Sequence, residues 1–165
     1  MKSTRSQNSH DFKRRSSLTT LFEYPKHVGF VCSRCSQCCG DTEDHVRTIL
    51  LLKTDAERIS NETLFDIHEF ADQVSGFEPY NYQMKKPENG KCFFLKNNRC
   101  TIYKIRPLIC RFYPFQLENL GNNRYSFSYT NKCPGIGKGS HHKKEFFETL
   151  FNKATNEIEE NSKTP

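Results

Sequence analysis

At 165 residues the chain has the length of one compact domain with tails, and its hydrophobic content of 35% lies below the about 45–50% usual for globular proteins, so only a modest core is available. No apolar run reaches the ~18–20 residues that a membrane-spanning helix requires, and the opening MKSTRSQNSHDFKRRSS lacks the apolar stretch of a secretory signal, which points to a reducing cytoplasm and away from disulfides. Of the net charge of +6, residues 1–26 hold +4 and no basic face interleaved with aromatics follows, which argues against a reader of nucleic acid.

Residues 1–22 are polar and without period, and the KRR run at 13–15 beside two serines reads as a solvated, disordered tail. The domain is expected over 23–158, with 159–165 as a second tail. Val28 to Val31 forms a short apolar lead-in to a cysteine loop. Val46 to Leu52, rich in β-branched residues and leucine, reads as a buried strand or packed extended segment. Thr54 and Glu57 fit a capping box, opening a helix through Ile59. A second helical stretch is predicted from Glu62 to Val74, with Leu64, Ile67, Phe70 and Ala71 on one side, closed by Gly76 and Pro79. Residues 77–91, with Pro79, Pro87 and Gly90, read as a connecting loop.

Cys92–Leu95 and Cys100–Tyr103 read as the arms of a hairpin, because Asn97 and Asn98 tolerate the positive φ of a tight primed turn. Pro107 suits the first position of a short helical turn carrying Cys110 and Arg111. A second hairpin is predicted from Tyr113–Glu118 to Arg124–Tyr129, where Tyr125, Phe127 and Tyr129 alternate with serines. Gly135, Gly137 and Gly139 lack the spacing of a dinucleotide loop and read as a flexible connector. Phe147, Leu150, Phe151, Ala154 and Ile158 recur at helical spacing from about His142, which predicts a packed final helix. With fourteen Phe and seven Tyr, the core is expected to be built on rings. The sum is a small α+β domain, stabilised in part by metal.

The chemistry lies in the eight cysteines. Cys32, Cys35, Cys38 and Cys39 form C-x2-C-x2-C-C, and thiolates so close together repel unless a cation holds them. The three-step run Cys32, Cys35, Cys38 is the spacing that opens bacterial ferredoxin cluster motifs, and Cys133-Pro134 offers a distal cysteine followed by proline. Zinc ribbons instead favour two separated C-x2-C pairs, and a second such pair is missing here. Adjacent side chains diverge in most conformations, so Cys38 and Cys39 are expected to serve different metals or different irons. Eight thiols fill two four-cysteine sites, or one cluster with spares. Which of Cys39, Cys92, Cys100, Cys110 and Cys133 complete the set stays open, and Cys110 also reads as a small buried residue.

Arg106 and Arg111 stand beside cysteine positions, where cationic donors offset thiolate charge. Tyr103 reads as a packed ring or a hydroxyl donor to sulfur. His141-His142 reads as solvated at a helix start. No nucleophile–base–acid set is visible, so nothing in the sequence states a catalytic reaction.

Taken together, Phe30-x-Cys32-x2-Cys35-x2-Cys38-Cys39, Gly90-x-Cys92-x-Phe94-Leu95, Cys100-x-Ile102-Tyr103-x2-Arg106-Pro107-x2-Cys110-Arg111-x-Tyr113-Pro114 and Cys133-Pro134-Gly135 resemble the CxxCxxCC family, the YkgJ-type cysteine-cluster proteins. The resemblance covers about residues 30–140 and implies a domain that chelates zinc or iron. A related cluster occurs in flagellin lysine methylases, but methyl transfer is not carried over to so short a chain. Ligand spacing favours iron, as a 4Fe–4S iron–sulfur cluster serving electron transfer or redox sensing, over zinc. The alternatives are a structural zinc module that scaffolds a protein partner, and an enzyme or enzyme accessory with a catalytic cluster.

Overall fold

Ten short strands and four helices alternate along the chain in a computed structural model that describes residues 20–87 and 90–163. The KRR run and most of the expected N-terminal tail lie outside those residues. The tail's last positions belong instead to a strand, β1 (Leu21–Glu23), which lies parallel to β9 (Arg124–Tyr129). With β8 (Phe115–Gly121), these form a sheet ordered β1-β9-β8. The expected hairpin β8–β9 turns at Asn122 and Asn123, with φ of 50° and 62°. Those values belong to the primed turns that match strand twist.

β2 (Gly29–Phe30) pairs antiparallel with β10 (Ile136–His141). The glycine-rich stretch predicted as a connector is therefore a strand, because β2 supplies backbone partners and the positive φ of Gly137 and Gly139 lets the pairing shift register. β3 (Leu50–Leu51), β4 (Ala71–Gln73) and β5 (Tyr82–Met84) form a second three-stranded sheet, ordered β3-β5-β4. β5 falls inside the stretch predicted as loop, and β4 inside the stretch predicted as helix. Only the end of α1 (Lys53–Thr63), at Glu62 and Thr63, and α2 (Ile67–Phe70) are helical there. Helix α1 stops where Leu64 takes a left-handed φ of 62° and stands 93% exposed, and Phe70 and Ala71 reach the core through the pairing of Ala71 with Met84.

The predicted capping box also moves. Leu52, not Thr54, precedes α1, and the Asp55 carboxylate accepts the Leu52 N–H at 3.3 Å. Asp55 wins because it also accepts the Leu108 N–H at 3.1 Å and pairs with Arg58, so one buried carboxylate serves the starts of two helices. The second helix so served is α3 (Leu108–Phe112), which follows Pro107 and carries Cys110 and Arg111 as expected. The small hairpin is present as β6 (Leu95–Lys96) and β7 (Arg99–Cys100), turning at Asn97 and Asn98 with φ of 51° and 58°.

Helix α4 runs Lys144–Lys163, past the expected start of the C-terminal tail at 159. Asn161 explains the extension, since its Oδ1 accepts the Lys53 N–H at 2.7 Å and its Nδ2 donates to the Pro79 carbonyl at 3.0 Å. The core has two parts. One is largely aliphatic, around Ile49, Leu51, Ile59, Met84 and Ile102 with Phe70 and Phe94; the other is aromatic, around Phe112, Phe115, Phe127 and Phe147. Rings therefore dominate only half of the core. Short α3 stands between the halves: Leu108 and Phe112 enter the aromatic part, while Ile109 and Cys110 pack on the aliphatic one. Among the described residues no helix is long and apolar enough to cross a membrane.

Candidate metal centre

The cysteine loop leaves β2 with its first turn fixed from across the domain. Val31 donates its N–H to the Gly135 carbonyl at 3.1 Å, which sets the Cys133–Ile136 turn beside the Cys32 end of the loop. A side chain at Gly135 would place its Cβ 2.5 Å from the Val31 oxygen, so this approach requires glycine. Arg34 and Ser36, at φ of 54° and 60°, tighten the loop into a 3-10 turn, Gln37–Cys39. The far end is held differently. Cys39 accepts the Cys92 N–H at 2.7 Å, Gly40 bridges Lys91, and the Asp41 carboxylate takes the Arg47 N–H at 2.7 Å and the Lys86 ammonium at 2.5 Å.

The Cys38 and Cys39 sulfurs stand 3.9 Å apart, although neighbouring side chains were expected to diverge. Both residues lie in the 3-10 turn Gln37–Cys39, and both line the same cavity. Two thiolates on one tetrahedral ion with bonds of about 2.3 Å stand at nearly this separation.

All eight cysteines are free thiols, and all eight line one cavity of about 370 Å³, roughly the volume of a dozen water molecules. Cys32 and Cys35 form its exposed edge, Cys133 is buried, and the other five are half-buried. Five cationic side chains share the lining, Arg34, Arg99, Lys104, Arg106 and Arg111, with no carboxylate and no histidine among the lining residues. Among the described residues no three His, Cys, Asp or Glu side chains stand ready-made as a cage for one ion. The cavity is many times wider than one ion needs. Its donor set nonetheless suits a soft metal or cluster: thiolate is the ligand class such centres select, and the cations offset the charge that four thiolates bring. The buried Arg106 Nε, a donor with no protein partner, could donate a hydrogen bond to a sulfur ligand of a bound centre.

The thiols differ in acidity. The contact from Cys39 holds the Cys38 thiol down at about 6, helped by the charges of Arg47 and Arg106, while the same contact and burial push Cys39 up. Burial raises Cys92 to about 11 and also raises Cys100, Cys110 and Cys133. Thiolate neighbours act unequally along the loop: Cys133 is raised further by Cys35 and Cys38, but Cys110 by Cys92, Cys38 and Cys100. Tyr113 rises to about 12, mainly through burial. The Cys38–Cys39 pair thus shares one proton between its two sulfurs, and the buried thiols hold protons that a metal would displace.

Of the other residues singled out from sequence, Arg106 and Tyr103 work together: the Arg106 guanidinium lies 3.9 Å from the Tyr103 ring centroid, with Arg34 on the same ring at 5.5 Å. Arg111 lines the cavity but also pairs with Glu157 at 3.4 Å and donates to the Arg106 carbonyl at 2.7 Å. His142 stacks on Phe146 at 3.9 Å rather than standing free in solvent. Sequence reasoning passed over Arg34, Arg47 and Arg99. Arg34 carried a signal, lying inside the first C-x2-C step; Arg47 carried one too, as the lone cation among the apolar residues after Val46.

The sequence profile of the CxxCxxCC family, described as "Putative zinc- or iron-chelating domain", matches residues 31–136. Two uncharacterized proteins of Methanocaldococcus jannaschii are similar. One is 29% identical over 109 residues, covering 64% of this chain and 55% of its relative. The other is 26% identical over 134 residues, covering 76% of this chain and 43% of its relative. The chain thus spans about half the length of the curated relatives it matches. No solved structure matches.

Proposed function

The chain belongs to the CxxCxxCC family of zinc- or iron-chelating domains, and from that premise we propose that it holds iron as an iron–sulfur cluster, of 4Fe–4S type, in a cytoplasmic carrier or sensor of electrons. The observation that carries the reading is the gathering of every cysteine around one cation-rimmed cavity. The three-step run Cys32, Cys35, Cys38 with Cys133-Pro134 beside it favours iron over zinc. When bound, the cluster supplies a one-electron couple. The chain's own residues do the rest. Cys38, Cys35, Cys92, Cys100, Cys110 and Cys133 are ligand candidates together with Cys32 and Cys39. Arg106, aligned by its contact with Tyr103, offsets thiolate charge and favours a more reduced centre. The exposed edge at Cys32 and Cys35 leaves a short path for an electron to a docked redox protein.

Protein purified without oxygen should be brown, with broad visible absorption, acid-labile sulfide and an iron–sulfur Mössbauer signature. Colourless protein with stoichiometric zinc, after anaerobic purification and after cluster reconstitution, overturns the iron reading. The all-thiolate lining, which zinc also accepts, supports the second reading, a structural zinc module that scaffolds a partner. That reading requires the domain to unfold on chelation.

A further inference from the structure

The cysteine loop is tied down at its two ends to two different parts of the molecule. At the Cys32 end the anchor is the turn that carries Cys133, through the Val31–Gly135 bond and the pairing of Phe30 with Ile136. At the Cys39 end the anchor is the segment that carries Cys92, through the hydrogen bond from the Cys92 N–H to the Cys39 carbonyl and the bridge from Gly40 to Lys91. Cys92, Cys100 and Cys110 share a floor, since all three pack against the aliphatic half of the core; Cys133 does not.

We propose that the cavity holds two four-thiolate centres rather than one, divided between Cys38 and Cys39: Cys32, Cys35, Cys38 and Cys133 serve the outer centre, and Cys39, Cys92, Cys100 and Cys110 the inner. This rests on the metal chemistry proposed above but not on the identity of the metal. Three further observations support it. Four thiolates complete either a zinc site or a 4Fe–4S cluster, so one centre would leave four of the eight thiols in the cavity without a task. Either kind of four-thiolate centre is a dianion in its usual oxidised or zinc-filled state, and two of them together match the rim cations Arg34, Arg99, Lys104 and Arg106 better than one does, Arg111 being paired with Glu157. The 3.9 Å between the Cys38 and Cys39 sulfurs then brings two neighbouring centres into van der Waals contact through their ligands. In the iron form, that contact offers a route for electrons from the exposed edge to the inner centre.

The test counts centres on the intact chain after anaerobic metal loading. Total metal and labile sulfide are measured per chain, and thiols are titrated with a maleimide before and after unfolding. Two centres give about eight irons with eight sulfides, or about two zinc ions, and no maleimide-reactive thiol until the chain unfolds. Cys133→Ser and Cys100→Ser should each keep about half of the metal. About four irons or one zinc, with four thiols open in the folded protein, overturns the division; so does a folded Cys133→Ser chain that keeps all its metal. Should either variant fail to fold, the thiol count of the unaltered chain decides alone. Two zinc ions per chain would uphold the division and sink the iron reading, four irons with four open thiols would do the reverse, and a chain that takes up no metal overturns both.

Discussion

Replacing Asp55 with alanine tests whether one buried carboxylate joins the two helix starts beside the metal cavity. Asp55 is 0% exposed, and it takes the backbone N–H groups of Leu52 and Leu108, residues that are 0% and 2% exposed. Each N–H left without a partner costs about 1–3 kcal/mol. Arg58 also loses its partner, but its partly exposed side chain can turn to water and adds little. Against this stands the relief of a desolvated carboxylate, so a net loss of about 2–4 kcal/mol is expected. In a chain of this size that lowers Tm by about 5–15 °C. The assay is urea unfolding of the metal-loaded protein, followed by circular dichroism. Asp55→Asn, which keeps one acceptor oxygen, should fall between the two. Burial raises the Asp55 pKa above its ordinary value, so the folded state binds this proton more tightly than the unfolded one. Relative to Asp55→Asn, the unaltered protein should therefore gain stability as pH falls from its raised native value to about 4, the ordinary carboxylate value. A loss below about 1 kcal/mol for Asp55→Ala would refute the argument, because a buried N–H without a partner cannot be that cheap.

Gly40→Ala should loosen the cysteine loop, since its Cβ would lie 2.5 Å from the Gly90 carbonyl and 2.8 Å from the Lys91 Cα; the expected result is lower metal content with most helical signal retained. Arg106→Ala should speed loss of metal to a competing chelator several-fold, with Arg106→Lys in between, because lysine keeps the charge but not the planar fork over Tyr103. Metal uptake should release protons into a weakly buffered indicator solution and weaken as pH falls, because Cys92 at about 11 is protonated before metal arrives. Phe147→Ala should cost about 3–5 kcal/mol by urea unfolding, since that fully buried ring touches Phe115, Phe127 and Phe146.

The elements that the sequence made legible are those with local causes. The paired asparagines at 97–98 and 122–123 announce their turns through tolerance of positive φ, and the stripe from Phe147 to Ile158 announces α4 through its period. What escaped was decided at a distance. Residues 71–73 have a helical pattern, yet β5 draws Ala71 and Asp72 into a sheet. The end of α4 reads as tail until Asn161 is seen to meet Lys53 and Pro79, far away in sequence. At the candidate site the cysteine spacing revealed the chemistry, but not the shared cavity, nor Arg34 and Arg47, whose positions depend on loop shape. The closeness of the Cys38 and Cys39 sulfurs was hidden for the same reason: it depends on the shape of the loop, which no residue type alone dictates.

Five residues of α3 join the thiol cavity to the aromatic half of the core. Cys110 faces the thiols, Leu108 and Phe112 lie among the rings, and Arg111 grips Glu157 on α4. One short helix thus walls the thiol cavity with Cys110 and, one residue on, holds the long terminal helix through Arg111 and Glu157, so the cavity wall and α4 share a single element.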